Sequence, residues 1–187
     1  FENATLVGII NADTGLFLPD FRSGERLFQL IYQTAGRAGR SKKPGEVVIQ
    51  TYNYDNPVIK YASRLDLKKY YNIILNERKD LNYPPFSWMA KLELSGRNKN
   101  KLQIIAQKLR DNLKKPYSGL EILGPADCYY GRLRNRFRMQ IVLKSYKTVD
   151  SNGRKLHNYI KKNFPDGNYL INSGVKIIID INPVSLL

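Results

Sequence analysis

One cysteine and one histidine, Cys128 and His157, are all that the 187 residues contain of either. A lone cysteine excludes an internal disulfide, and with a single histidine beside it no multi-cysteine zinc site can form. Cys128 is expected to be a plain buried or half-buried thiol, because a free cysteine packs as a small hydrophobe. This usage suits a reducing cytoplasm. No apolar run approaches the roughly 18 residues that a membrane span needs. Repeats and low-complexity runs are absent. The chain opens on Phe1 with no signal-peptide pattern behind it, which reads as a cut from a longer protein. Nor is there a G-x-x-x-x-G-K-[ST] loop to cradle the phosphates of a nucleotide.

Acid is scarce as well. Asp and Glu number 16 against 31 Lys and Arg, a net charge of +15. Residues 1–85 carry 12 basic and 9 acidic side chains, net +3, whereas residues 86–187 carry 19 and 7, net +12. The second part has the electrostatic footprint of a polyanion binder, although a charge excess also serves simply as a solvated surface.

The hydrophobic pattern divides the chain into legible elements. "TLVGII" (Thr5–Ile10) has the short apolar run of a buried strand, and "NADTGLFLPDF" after it reads as a loop. "GERLFQLIYQTAGRAGR" is helical, with Leu27, Leu30, Ile31 and Thr34 on one face and Gly36 and Gly39 expected to end it. "EVVIQTYN" is a strand. Pro57 to Leu81 reads as one helix through Ile59, Ala62, Leu65, Lys69 and Ile73, which "NYPPF" must stop. The chain thus divides into three regions: 1–56, a connecting 57–85, and 86–187.

The last region alternates. Trp88, Ala90, Leu92 and Leu94 face away from Met89, Lys91 and Glu93, as in a half-buried strand, with Trp88 assigned to the core. Asn98–Lys115 and Val149–Phe164 are helical, "LEILGPADCYYGRL" is a strand interrupted at Gly124-Pro125, and "RFRMQIVLK" and "VKIIIDI" alternate again. The order β-α-β-β-α-β is that of the ferredoxin-like arrangement. Two helices would cover one sheet face, leaving the other to bind something or to be covered.

Two stretches carry chemistry. In "QTAGRAGR", Arg37 and Arg40 lie three apart at a helix end beside Gly36 and Gly39, which let the backbone come close. A guanidinium offers donors in a fixed fork and can follow charge on a transferring phosphoryl group. The plainer alternative is a glycine-ended helix with two solvated arginines. In "YYGRLRNRFR", Arg132, Arg134, Arg136 and Arg138 recur every second residue and would project from one face of an extended strand with Tyr130 behind them, unless a hairpin near Asn135 breaks the register. Such arginines track phosphates while Tyr129, Tyr130 or Phe137 stack on bases. A charged edge strand that discourages aggregation is the structural alternative.

Gln33-x-x-Gly36-Arg37-x-Gly39-Arg40 resembles motif VI of superfamily 2 helicases. With "NADTGLFLPDFRSGERLFQLIYQTAGRAGR", "KPGEVVIQTYN", "ERKDLNYPPF", "ILGPA", "RLRNRFRMQIVLK" and "DINPVSLL", the whole chain is similar to the C-terminal end of the bacterial primosomal replication-restart helicases. Asn82 stands where a glycine is common in that family, and Ser23-Gly24 departs within the motif V flank. The resemblance implies that residues 1–56 are the tail of a second RecA-like lobe, whose arginines reach ATP and magnesium held by a first lobe. Arg40 then becomes the arginine finger, with Arg37 and Gln33 supporting the γ-phosphate. Asp13, Gly15 and Asp20 fall in the stretch coupling nucleotide to DNA, with turn formation as their other role. Zinc would belong to a cysteine-rich segment absent here, so this chain is expected to hold no metal or bound cofactor.

The resemblance also implies an ATP-dependent 3′-to-5′ DNA helicase acting at stalled forks in the cytoplasm, of which this monomeric piece binds branched and single-stranded DNA without hydrolysing ATP. Primosome proteins and single-stranded DNA-binding protein are the implied partners, the acidic tail of the latter meeting Arg154 and Lys155, which otherwise form a solvated face. A non-enzymatic RNA-binding module like a small-subunit ribosomal protein is the alternative, as is an interaction domain whose charge keeps it soluble. Some 56 residues bury too little surface to stand alone, so 1–56 should lean on residues 57–187.

Overall fold

Strand β1 (Leu6–Ile9) and β2 (Glu46–Ile49) pair in parallel, Val7 opposite Val47 and Ile9 opposite Ile49. Parallel neighbours require a long crossover. Here it runs through α1 (Asp13–Leu16), a single turn in the stretch expected to be loop, and α2 (Ser23–Ala38). The computed structural model describes residues 5–38, 45–114, 117–165, 169–171 and 174–187. Contacts divide the chain into two units, Phe1–Glu77 and Arg78–Leu187.

Helix α2 buries Leu27, Phe28 and Ile31, while Leu30 is 53% exposed. Leu27 and Ile31 are thus on the buried face as the spacing predicts, but Phe28 rather than Leu30 joins them, its ring stacking on Tyr70 at 4.1 Å between centroids. Gly36 does not end the helix. An interior glycine costs about 1 kcal/mol relative to alanine without interrupting the backbone bonds, and α2 continues to Ala38.

The expected single helix after Pro57 is two, α3 (Pro57–Ser63) and α4 (Leu67–Asp80). Asn56 caps the first by accepting from the Val58 amide at 2.9 Å. Leu65 then adopts a φ of 54°, turning the chain, and Asp66 accepts from the Lys69 amide to start the second. Ile59, Ala62 and Tyr70 join Ala12, Leu27, Phe28 and Ile31 in one core, so residues on either side of position 57 pack together.

In the second unit β3 (Ser87–Gly96), α5 (Lys99–Asn112), β4 (Leu120–Leu133), β5 (Arg136–Tyr146), α6 (Arg154–Asn163) and β7 (Val175–Ile181) succeed one another as the alternation predicts. The pattern did not disclose β6 (Tyr169–Ile171), a three-residue strand between short polar segments. All pairings in this five-stranded sheet are antiparallel, in the order β4-β5-β3-β7-β6. The whole is an α+β chain.

Period two places Ala90, Leu92 and Leu94 of β3 on the same face as Ile141 and Leu143 of β5 and Ile177 of β7. Leu102 and Ala106 of α5 and Leu156 and Ile160 of α6 pack on them, all buried. Each such leucine or isoleucine contributes about 1.5–3 kcal/mol by leaving water. Asn98 caps α5 from its side-chain oxygen, which accepts from the Lys101 amide at 2.9 Å.

The other face is closed too. Met89, Lys91, Val142 and Lys144 are buried, so β3 is not half-buried as its alternation suggested. Lys91 donates to the Leu187 carbonyl at 3.1 Å, and Lys144 to that of Leu81 at 3.2 Å while its ammonium lies 4.5 Å from the Tyr83 ring centroid. Of the two possibilities for this face, covering is the one realised around its central strands.

Candidate functional site

Beyond the ends of the paired strands, Asp13 opens α1, and its carboxylate accepts from Thr51 Oγ1 at 2.9 Å, the Tyr52 amide at 2.8 Å and Asn53 Nδ2 at 2.7 Å. These donors, Asn53 foremost, lower its pKa. Asp20 is buried and accepts from the Arg22 amide at 2.8 Å and from Arg26 at 3.2 Å. Both aspartates thus hold local backbone in place. A methyl added at Gly15 would meet Leu27 at an ordinary 3.6 Å, so α1 does not require glycine there for space.

Gln33 is exposed on α2, bordering a cleft of about 380 Å³ with Phe28, Tyr32, Tyr70 and Tyr71. Gly36 and Arg37 lie in the last turns of the same helix, where the Arg37 side chain is outside what is described. Gly39 and Arg40 lie outside the described residues. Among the described residues no group of three or more His, Cys, Asp or Glu could hold a metal ion.

The arginine run of the second unit is folded into a hairpin. Arg134 and Asn135 have φ of 47° and 58°, the left-handed pair that a two-residue type I′ turn requires. Leu133 consequently faces Arg136 across the ladder, and Arg132 faces Phe137. The four arginines therefore do not share one face: of the two arrangements, the hairpin near Asn135 is the one formed rather than the continuous extended strand. Arg132 projects on the opposite side from Arg136 and Arg138, and Arg134 sits at the tip.

Their environments differ accordingly. Arg132 is exposed, its guanidinium 5.2 Å from the Phe137 ring centroid and hydrogen-bonded to the Asn135 side-chain oxygen. Arg134 is exposed. Arg136 is half-buried, donating to the carbonyls of Ser95 at 2.8 Å and Gly174 at 3.2 Å. Arg138 is committed elsewhere, to both oxygens of Glu93 at 2.9 and 2.7 Å, with 12% of its side chain exposed. A guanidinium fork matches a carboxylate in this bidentate way. The contact with Arg138 holds the Glu93 carboxyl below its usual range and raises Arg138 in turn.

Arg138 also reaches the Tyr130 carbonyl at 3.4 Å. Between Asp127, opposite Met139, and Arg132, opposite Phe137, the register of β4 slips, so residues 128–131 face a single partner residue. That bulge turns Cys128 inward, where burial pushes its thiol pKa up, and leaves Tyr129 and Tyr130 exposed. Their rings meet edge to face at 4.9 Å. The exposed group is thus Tyr129, Tyr130, Arg132 and Arg134 on one hairpin. No spacing rule signals the bulge, whereas Glu93, a carboxylate in an otherwise buried strand, was a legible sign that a cation must oppose it.

Arg154 and Lys155 are exposed in the first turn of α6, as is His157 in the next. Arg154 borders a cleft of about 290 Å³ with Trp88, Gly153, His157 and Asn182. Lys155 lies 5.6 Å from the Tyr117 ring centroid. Trp88 packs on the core, and its indole N–H donates to the Asp150 carbonyl at 2.9 Å. No helix among the described residues is long and apolar enough to cross a membrane.

The model of the family described as primosomal protein N C-terminal domain matches residues 79–184. The chain is 34% identical over 190 residues to the replication restart protein PriA of Bacillus subtilis, covering all of this chain and 23% of that protein. It is 38% identical over 183 residues to the PriA of Rickettsia prowazekii, covering 98% of this chain and 27% of the relative. The PriA of Borreliella burgdorferi is 35% identical over 193 residues, with 100% and 27% covered. The chain spans about a quarter of the length of these relatives.

Proposed function

The chain belongs to the PriA family, in the C-terminal portion of which it lies, and from that premise we propose that it is the DNA-contacting end of an ATP-dependent 3′-to-5′ replication-restart helicase. The hairpin that holds Tyr129, Tyr130, Arg132 and Arg134 in solvent carries this reading. Cations that neutralise phosphates provide affinity, and tyrosine faces provide sequence-tolerant stacking, the combination suited to unpaired strands at a fork. The second unit is then a ferredoxin-like DNA-binding domain, supported by its strand order.

The first unit supports a remnant of a RecA-like lobe through its parallel β-α-β crossover and its QTAGRAGR segment. In this proposal Arg40 and Arg37 address the γ-phosphate of ATP whose other phosphate contacts, with magnesium, come from the rest of the helicase, and Gln33 supports them. Asp13 and Asp20 keep the intervening loops in register, with Gly15, Gly36 and Gly39 in the segments that couple nucleotide to DNA. Zinc belongs to a further cysteine-rich segment of the same helicase. The chain alone binds DNA and leaves ATP unhydrolysed in the cytoplasm, as a monomer, and within the helicase it meets other primosome proteins. Arg154 and Lys155, exposed and adjacent, are the proposed contact for the acidic tail of single-stranded DNA-binding protein.

Fluorescence anisotropy against forked, single-stranded and duplex DNA of equal length, over a salt series, tests the reading. Tighter binding to the fork and the single strand than to duplex is the expected result. Equal and steeply salt-dependent binding to all three would reduce the surface to a counterion-release clamp, and no binding at low salt would remove the DNA role altogether.

A further inference from the structure

We propose that a second contact, separate from the hairpin, binds a backbone phosphodiester of nucleic acid in the cleft where β3, β5 and β7 converge on the start of α5. The cleft has a volume of about 520 Å³ and is lined by Arg97, Asn98 and Lys101, by Arg136, and by Gly174 and Val175. Three of these side chains are cationic and no lining residue is acidic. In the middle of the sheet cations meet carboxylates: Glu93 takes Arg138 and Lys91, and Glu121 takes Lys144. Here nothing in the lining neutralises them.

Arg136 is the fixed point of the site. Its Nη2 donates to the carbonyl oxygens of Ser95 at 2.8 Å and Gly174 at 3.2 Å, and its Nε lies 3.4 Å from Ser95 Oγ. These acceptors are neutral, so they orient the guanidinium without cancelling its charge. Arg97 and Lys101 are exposed and able to close on a ligand. A pre-oriented guanidinium flanked by two exposed cations suits a tetrahedral oxyanion, and arginine's fork is the better geometric match to phosphate than an ammonium.

Position argues for the phosphodiester of a strand rather than a free anion. Gly96, the last residue of β3, lies opposite Phe137, so the sheet end that carries the cleft is also the end from which the Arg134 tip projects. One strand can therefore stack on Tyr129 and Tyr130 and lay a neighbouring phosphate in the cleft. This inference rests on the DNA-binding reading above and adds to it a residue set that the motif did not contain.

The test compares the unaltered chain, Arg97→Ala/Lys101→Ala, and a charge-matched control, Lys161→Ala/Lys162→Ala, which alters the exposed side of α6. Binding of fluorescein-labelled single-stranded DNA is followed from about 50 to about 300 mM salt, with thermal melts to confirm folding; each lost phosphate contact lowers the slope of log K against log salt by about 0.7 on a single strand. The expected result is a slope reduced by about 1.4 in the cleft variant and unchanged in the control. Binding by the unaltered chain with no change of slope in the cleft variant, or an equal fall in both variants, overturns the cleft while leaving the hairpin reading intact. Absence of binding by the unaltered chain overturns both.

Discussion

Arg138 of β5 and Glu93 of β3, on neighbouring strands of one sheet, join through two hydrogen bonds of 2.9 and 2.7 Å. The pair lies inside the sheet that the arginine run decorates, and it commits one of the four arginines to a carboxylate of the same sheet. Its role is positional: the same guanidinium holds the Tyr130 carbonyl and thereby the bulge on which both exposed tyrosines sit.

Removing one partner leaves the other charged and unpaired in a place with little water. Glu93→Ala is expected to destabilise the second unit by roughly 3–5 kcal/mol, whereas replacing both residues with apolar ones of similar volume should be much milder. Urea unfolding of the single and double variants measures this. Equal losses in both would mean that packing, not charge, dominates the position.

The same pair sets an acid limit. Glu93 is held below its ordinary value of 4.5 chiefly by the Arg138 hydrogen bonds, against the opposing effect of burial. A carboxyl lowered in the folded state stabilises fully above the unfolded value and loses that contribution as pH falls through the folded one. Unfolding free energy should thus decline from about pH 5 downward, and Glu93→Gln should flatten that decline. An unchanged acid slope in the variant would assign it to other carboxylates.

Tyr129→Ala and Tyr130→Ala should each weaken single-stranded DNA binding by about 1–3 kcal/mol while leaving its salt dependence unchanged, because stacking releases no counterions. Arg134→Ala should do the reverse, lowering the salt slope at modest loss of affinity. Anisotropy titrations separate the two signatures. Full affinity in both tyrosine variants would leave the hairpin as a purely electrostatic contact.

Asp150 ties the start of α6 to the sheet. Its carboxylate accepts from Ser145 Oγ at 2.9 Å, the Lys155 amide at 3.1 Å and the Leu156 amide at 3.0 Å. Burial raises its pKa, and the hydrogen bonds from the Leu156 and Lys155 amides, Ser145 and the Gly153 amide together outweigh that, leaving it lowered. Asp150→Ala should cost about 0.5–2 kcal/mol, the range for a lost helix cap. Trp88, the one tryptophan, bonds to the Asp150 carbonyl, so its emission should shift to longer wavelength as the segment loosens. A Trp88 spectrum identical to the parent's would show that the backbone keeps its place without the carboxylate.

In the first unit Asp13→Ala removes the acceptor for three donors across Thr51–Asn53. Hydrogen exchange at the Tyr52 amide should accelerate by an order of magnitude or more, since a tertiary bond guarding it is gone. The effect should stop short of β3, which lies in the other unit. An unaltered Tyr52 rate would mean that the segment is held by its backbone alone.

What the sequence determined by itself was local and periodic. Alternation marked β3, β5 and β7, helical spacing marked α2 and α5, and the excess of cations after Pro85 marked the half that carries the hairpin and the cleft. Each of those signals is written in neighbouring residues, so no folded context is needed to read it. Tertiary structure decided which side chains are available. A two-residue turn at Arg134-Asn135 sent Arg132 to one side and Arg136 to the other, because cross-strand partners share a face and Arg132 is paired with Phe137 while Arg136 is paired with Leu133. The left-handed turn at Leu65 split one expected helix into two. Leu187 is 96 residues from Lys91 and Leu81 is 63 from Lys144, yet they close the face that alternation alone left open. Charges spaced alike along the chain acquire different roles because burial and partners are set by segments that only folding brings together.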